Sequence, residues 1–168
     1  AFANEARTRV LVVRLRGASG QEQWRALEPA SMYFTRGAGE RSVQADRAGD
    51  VYLTSDATVD STEPAGLYKL SGTTGGRLWR HPATGISDLT FTTAGRPLAV
   101  LCTQTAQVHC TLRELGSGSG ALLREMVLPD PPPGGDRWRV YAGSPSGVAG
   151  LLVAEPSSVA RERADDDS

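Results

Sequence analysis

The stretch LYKLSGTTGGRLWR, residues 67–80, decides the fold. Leu70 lies five residues before Gly75, and Trp79 lies four residues after it. Thr74 directly precedes that glycine. An alternating apolar stretch, a glycine-rich turn and a second such stretch predict a β-hairpin, because glycine supplies the positive φ that the turn requires.

This hairpin motif occurs three times in the chain. Two further copies keep the leucine, the hydroxyl residue and the turn glycine at the same offsets. They are Leu15, Ser19 and Gly20, with Trp24 on the outgoing strand, and Leu115, Ser119 and Gly120, with Arg124 in place of tryptophan. The three glycines are 55 and then 45 residues apart. The flat side chains of Trp24 and Trp79 are predicted to be buried against the neighbouring unit.

A second turn motif interleaves with the first. Its copies are Asp46 with Gly49, Thr92 with Gly95, and Ser144 with Gly147. The first of the three residues that precede each glycine caps local backbone amides, and the glycine takes the left-handed position. Gly49 and Gly95 are 46 residues apart, which matches the first series. Two hairpins in roughly 45 residues predict a four-stranded antiparallel sheet, which is one propeller blade.

The patterns therefore predict an all-β chain, a partial β-propeller of four-stranded antiparallel blades with about three blade equivalents. Twelve strands are expected and no helix. They are residues 9–16, 21–27, 42–46, 50–55, 66–71, 76–80, 87–92, 97–103, 107–115, 121–127, 138–143 and 149–154.

The predicted strands divide the chain into half a blade, two whole blades and another half. The segments are an N-terminal loop (1–8), a half blade and connector (9–41), a blade (42–86), a blade and Pro-rich connector (87–137), a half blade (138–154) and a polar tail (155–168). Known propellers have about four to eight blades, so three cannot close a ring. We expect a fragment of a larger propeller, or a protomer that completes one by association.

The hairpin motif resembles the pyrroloquinoline-quinone-type β-propeller repeat over roughly residues 9–154. The pattern x-Leu-x-x-x-Thr-Gly-x-x-x-Trp carries the likeness. The chain departs from it where the family usually has Asp before the turn, since Arg16, Ser71 and Gly116 stand there. The resemblance implies that Trp24 and Trp79 dock between blades, and it implies a location in the bacterial envelope.

Composition excludes some partners. The net charge of -1 gives no attraction to nucleic acid, and no apolar run is long enough to span a membrane. Lys69, Asn4 and Ile86 are the sole residues of three types with AT-rich codons, which indicates a GC-rich bacterial genome. The Ala-x-Ala in AFANEA is either the remnant of a signal-peptide cleavage site or an arbitrary cut. Periplasm, cell surface or secretion is expected.

Cys102 and Cys110 flank a hairpin that turns around Ala106, which places them opposite one another. They form either a disulfide or two buried free thiols. A metal site of Cys102, His109 and Cys110 lacks a fourth ligand.

Other polar groups suggest no catalytic, cofactor or metal site. Asp56, Asp60 and Glu63 lack the spacing of a calcium loop and are expected to be solvated. His81, His109 and Asp88 have no nucleophile elbow beside them. GSGSG (116–120) lacks the lysine of a phosphate loop, and PDPPPGG (129–135) is typical of a stiff connector.

Two hypotheses of function follow. The first is a non-catalytic scaffold or binding module for a protein or glycan partner. The alternative is a fragment of a quinoprotein dehydrogenase that uses pyrroloquinoline quinone and calcium. The sequence lacks the adjacent cysteine pair and the acidic cluster that such enzymes use. A role in outer-membrane protein assembly is a third possibility, without a lipidation cysteine to support it.

Overall fold

The computed structural model describes residues 2–3, 10–28, 43–55, 65–104, 108–130, 135–141 and 151–156. Every regular element in these ranges is a β-strand. The strands are β1 Phe2–Ala3, β2 Val10–Leu15, β3 Glu22–Glu28, β4 Val43–Ala45, β5 Val51–Ser55, β6 Gly66–Leu70, β7 Arg77–Pro82, β8 Ile86–Phe91, β9 Pro97–Gln104, β10 Val108–Leu115, β11 Leu122–Val127, β12 Gly135–Tyr141 and β13 Leu151–Pro156. The all-β prediction is confirmed for the described residues.

The strands form four sheets, with the orders β1-β2-β3, β4-β5-β6-β7, β11-β10-β9-β8 and β12-β13. The pairs β2–β3, β6–β7 and β10–β11 are antiparallel, and each has a register shift next to its turn. The shift follows Arg14, Lys69 and Glu114, which are equivalent positions of the repeat. The sequence repeat is therefore also a repeat of strand pairing.

One predicted segment needs correction. Residues 1–8 were expected to be a loop, but Phe2–Ala3 forms a strand that pairs with Leu11 and Val10 of β2. The first sheet consequently has three strands rather than two. A two-residue strand is too short to show the alternation by which strands are recognised in sequence.

The chain divides into two compact units. The first comprises Ala1–Ile86 with Gly118–Ala121, and the second comprises Ser87–Ser117 with Leu122–Ser168. In the first unit a core cluster joins the β1–β3 and β4–β7 sheets, with Val12, Trp24, Leu53, Tyr68 and Leu70 buried together. The second unit has its own core, which consists of the buried side chains of Leu98, Val100, Cys110, Leu112, Leu128 and Val140. No helix in the described ranges is long and apolar enough to cross a membrane.

Candidate functional site

The turn of the hairpin repeat has the same hydrogen bonds in successive copies. The Gly20 amide donates to the Arg16 carbonyl and the Gly75 amide to the Ser71 carbonyl, both at 2.8 Å. The hydroxyl residue before each glycine accepts from the amide two residues further on. The donor and acceptor pairs are Gln21 to Ser19, Gly76 to Thr74 and Ala121 to Ser119, at 3.3, 3.2 and 3.3 Å. Ser or Thr at this position therefore closes the turn.

An indole lies against the turn glycine in two places. Trp24 of β3 donates from Nε1 to the carbonyl of Gly72 at 2.8 Å. A Cβ added to Gly75 would lie 2.6 Å from Cε3 of Trp24, and one added to Gly120 would lie 2.5 Å from Cε3 of Trp79. Since the φ angles of Gly75 and Gly120 are 73° and 68°, glycine is needed there for both backbone conformation and space.

The two contacts have the same direction along the chain. The tryptophan of the first copy reaches the turn of the second, and the tryptophan of the second copy reaches the turn of the third. Trp24 and Trp79 are each only 8% exposed. We call this arrangement, an indole from one copy on the turn glycine of the next, the docked turn.

Further side chains hold Trp79 and Gly120 in place. The ring of Tyr52 packs edge-on against Trp79, with 5.7 Å between ring centroids. Nδ1 of His81 lies 3.0 Å from the carbonyl oxygen of Gly120, a contact that requires the hydrogen on Nδ1. The docked turn thus combines a ring contact with hydrogen bonds to backbone carbonyls.

A buried charge cluster lies beside Trp79, because Lys69 is directly opposite both Trp79 and Tyr52 in the sheet. The Lys69 Nζ is 2.8 Å from Asp50 Oδ2 and 3.6 Å from Asp46 Oδ2. It also lies 5.2 Å from the centroid of the Tyr52 ring, a cation–π distance. This cluster ties strand β6 to the turn between β4 and β5.

The carboxylates of the cluster also organise backbone. Asp46 Oδ1 accepts from the amides of Ala48 and Asp50 at 2.9 and 3.0 Å, and Asp46 Oδ2 accepts from the Tyr52 hydroxyl at 3.2 Å. Asp50 Oδ1 accepts from the amide of Gly72 at 2.8 Å. Asp50 therefore links the two turn motifs, and Gly72 in turn presents its carbonyl to Trp24.

The environment of the cluster shifts its pKa values. Burial raises the pKa of Tyr52 to about 12, against the influence of the Lys69 ammonium. Burial would also raise the pKa of Asp50, but hydrogen bonds from Gly72 and Lys69 more than offset it and lower that pKa. Burial opposes the charge of Lys69, yet Asp50 and Tyr52 raise its pKa above the usual value. The ammonium and the Asp50 carboxylate are thus kept charged by each other.

A cavity of about 530 Å³ opens in the first unit beside Trp24. Its walls include the apolar side chains of Val12 and Val51 and the indole of Trp24. Arg14 and Gln44 supply hydrogen-bonding groups. An apolar cavity with an aromatic wall and a few polar groups is typical of a small-ligand site.

The two cysteines form a disulfide. Cys102 and Cys110 are directly opposite in the β9–β10 pair, with Cα atoms 4.1 Å apart. Cys110 is buried in the core of the second unit, and Cys102 and Trp138 pack against that core. The free-thiol and metal alternatives therefore do not describe these cysteines.

The remaining candidate residues lie apart. His109 is exposed, with Nδ1 3.8 Å from an exposed Asp130 carboxylate. Asp88 is buried and accepts from the amides of Leu89 and Val140, each at 2.9 Å. No three His, Cys, Asp or Glu residues in the described ranges could hold a metal ion together. The candidates Gly147, Asp56, Asp60 and Glu63 lie outside the described residues.

Sequence reasoning missed the Lys69 cluster, although one signal was present. Lys69 is the sole lysine among 18 basic residues, so the other 17 are arginines. A compact ammonium fits between two carboxylates and a tyrosine ring, whereas a planar guanidinium needs more room. The single lysine in a chain that otherwise uses arginine therefore indicated a position at which the smaller cation is buried.

No protein-family model matches the sequence, and no curated protein matches it.

Proposed function

We propose that the chain is a non-catalytic β-propeller repeat domain, part of a larger propeller, that serves as a scaffold and binds a protein or glycan partner. The docked turn is the observation that carries this proposal. Trp24 lies on the Gly72–Gly75 turn and Trp79 lies on Gly120, so the same joint is used twice in succession. Joints that repeat between like sheets are the basis of propellers and other repeat folds.

The cavity beside Trp24 is the proposed binding site. Its largely apolar wall suits an apolar peptide side chain or the apolar face of a sugar ring, and Arg14 and Gln44 would orient the ligand by hydrogen bonds. The polar groups of the Lys69 cluster bond one another and the backbone, so they support a structural role rather than a catalytic one.

We place the protein outside the cytoplasm, in the periplasm, at the cell surface or secreted. The Cys102–Cys110 disulfide supports this, since structural disulfides persist mainly in oxidising compartments. The bacterial origin rests on codon-related composition.

Nuclear magnetic resonance titration tests the binding site. The Trp24 indole N–H signal should shift saturably on addition of an oligosaccharide or peptide from a defined panel. Arg14→Ala should weaken that response, while Arg124→Ala, on exposed β11, should leave it unchanged. A panel that shifts no signal of the cavity residues would contradict the assignment of this cavity.

The quinoprotein alternative is tested separately. Purified protein is mixed with pyrroloquinoline quinone and calcium, and dye-linked oxidation of a primary alcohol is followed. We expect no turnover. Saturable turnover would replace the scaffold by the dehydrogenase.

A further inference from the structure

The three copies of the hairpin turn differ in what covers their glycine. Gly75 and Gly120 are buried, each against an indole, whereas Gly20 is exposed. A Cβ added to Gly20 would meet no described atom within 4 Å. The φ of Gly20 is 65°, close to the 73° and 68° of the other two, so the turn itself has the same conformation.

The leucine five residues before each glycine shows the same difference. Leu70 and Leu115 are 0% exposed, but Leu15 is 56% exposed. Leu70 belongs to the core cluster that contains Trp24. The first copy therefore has the sequence of a docked turn without the burial of one.

Four apolar side chains of the first sheet, two exposed and two half-buried, share one face with the exposed Glu22–Arg25 ion pair. Directly paired residues lie on the same side of a sheet, and neighbours along a strand alternate. Val12 pairs with Ala26, and both belong to the side that packs into the core. Leu11 pairs with Leu27 on the opposite side, where Val13 and Leu15 also lie by alternation. We call these four residues, with the Gly20 turn, the acceptor face.

The acceptor face has a filled counterpart in the second copy. Leu70 is equivalent to Leu15 and Tyr68 to Val13, and both are buried against Trp24. Gly72 stands three residues before Gly75, as Gly17 stands before Gly20. The two turn glycines and the leucine that receive an indole in the second copy are thus present in the first, with Val13 in place of Tyr68. Leu27 adds an apolar side chain that is 54% exposed.

We infer that the acceptor face binds a tryptophan-bearing β-sheet of another copy of this repeat. Its indole lies on Gly20 and donates from Nε1 to the carbonyl of Gly17, as Trp24 does to Gly72. The occupant is not a second molecule of this chain. Trp24 and Trp79 are already used in docked turns, Trp138 packs against the core of the second unit, and the third copy presents Arg124 instead. The inference rests on the proposed propeller and names the surface at which a further repeat joins it.

Ring-current shifts give a direct test, with Gly75 and Gly120 as internal standards. An α-hydrogen of each of these glycines points at the six-membered ring of an indole, so its proton signal should lie upfield of the Gly20 signals. The probe is a longer chain in which a second copy of residues 43–82 is joined to Ala1 by a flexible Gly/Ser linker, which makes docking intramolecular. One Gly20 α-proton should move upfield to the range of Gly75 and Gly120. The matched control has alanine in place of the added tryptophan and should leave Gly20 unshifted.

A second probe covers the case in which the added repeat does not fold. N-acetyl-tryptophanamide, titrated into the unmodified protein, should shift Gly20 and the Leu15 and Leu27 methyl signals saturably, whereas N-acetyl-alaninamide should not. Leu15→Asp should abolish both responses.

The inference is overturned if neither probe shifts Gly20, or if the alanine control shifts it equally. Self-association of the unmodified chain that Leu15→Asp abolishes would also overturn it, because a second molecule would then be the occupant. Val13 and Leu15 also line the Trp24 cavity, whereas Gly20 does not. The Gly20 signal therefore reports on the acceptor face and the Trp24 indole N–H signal on the cavity, so the inference and the proposed function can fail separately.

Discussion

Two cross-strand rows, one in each four-stranded sheet, occupy equivalent positions of the repeat but differ in chemistry. The rows are Tyr52, Lys69 and Trp79 in β5–β7 and Leu98, Glu114 and Arg124 in β9–β11. In the first row Lys69 pairs with Asp50 at 2.8 Å; in the second, Glu114 pairs with Arg96 at 3.0 Å. The two ion pairs have opposite polarity.

The comparison shows which parts of the repeat are constrained. Asp46 and Thr92 both accept from the amide four residues on, so the turn geometry is preserved with different side chains. Both sheets keep a charged residue in the middle of the row, on β6 or β10, and pair it with an opposite charge at the neighbouring turn. The sign of that charge and the identity of the third residue vary, since Trp79 is replaced by Arg124.

The largest expected difference between the rows is at their third position. Trp79→Ala should lower the free energy of unfolding by about 3–5 kcal/mol, because it removes a buried indole from Tyr52 and Gly120. Arg124→Ala, on the fully exposed β11, should change it by no more than about 0.5 kcal/mol. Urea unfolding followed by circular dichroism measures both. Equal effects would show that the docked turn does not stabilise the protein.

The two ion pairs should also differ. Lys69→Met should cost about 3 kcal/mol, because it leaves Asp46 and Asp50 without their buried cation. Arg96→Met should cost about 0–1 kcal/mol, since the Arg96 side chain is 50% exposed. The same urea experiments measure both variants. If Lys69→Met lowers the free energy of unfolding no more than Arg96→Met does, burial does not strengthen the Lys69 ion pair.

The contribution of the Lys69 pair depends on pH in both directions. The lowered pKa of Asp50 means that its contribution is present above the unfolded pKa and is lost as the pH falls through the folded value. The raised pKa of Lys69 means that its contribution is lost as the pH rises through the folded value. The difference between wild type and Lys69→Met should therefore be greatest near neutral pH and shrink on either side.

The disulfide distinguishes the β9–β10 hairpin from β5–β6. The cysteines are 8 residues apart, and the loop-entropy relation gives about 2.5 kcal/mol for a link of this length. Cys102→Ser with Cys110→Ser should destabilise the protein by that amount. In wild type, reductant should speed hydrogen exchange in β9 and β10 more than in β5 and β6. Reductant added to the double variant is the control, and it should have no effect.

The smallest expected difference separates two turn glycines. Gly20→Ala and Gly75→Ala both place a side chain at positive φ, which costs about 1–2 kcal/mol. At Gly75 the new Cβ also meets the Trp24 ring, and such overpacking adds about 1–3 kcal/mol. Gly75→Ala should therefore lower the free energy of unfolding by about 2 kcal/mol more than Gly20→Ala does, as measured by urea unfolding. Equal costs would mean that Trp24 moves away easily.

The strands and the turns could be predicted from sequence because their determinants are local. Apolar alternation and the fixed distance from Gly75 to Trp79 mark the hairpin, and each of the twelve expected strands is observed with boundaries within three residues. The same spacing singles out Trp24 and Trp79, which are both buried.

The charged rows and the short strand could not be predicted in this way. Asp46, Asp50 and Lys69 meet only after β4, β5 and β6 have paired, and nothing in their spacing marks the contact. The reversed pair of Arg96 and Glu114 hides the equivalence further, because an alignment by residue type scores the two copies as unlike. The pairing of Phe2–Ala3 depends on the exposed edge of β2, not on its own two residues.

Each indole of a docked turn contacts the turn of the following copy and not that of the preceding one. Because donor and receiver are different surfaces, the joint is heterologous and has no twofold symmetry by which it could saturate itself. A gene duplication that adds a whole repeat supplies one new donor and one new receiver, so it leaves the existing joints intact. In general a heterologous joint closes into a ring where its rotation allows and otherwise continues as an open array, so the rotation, and not the contact itself, sets where such a series ends.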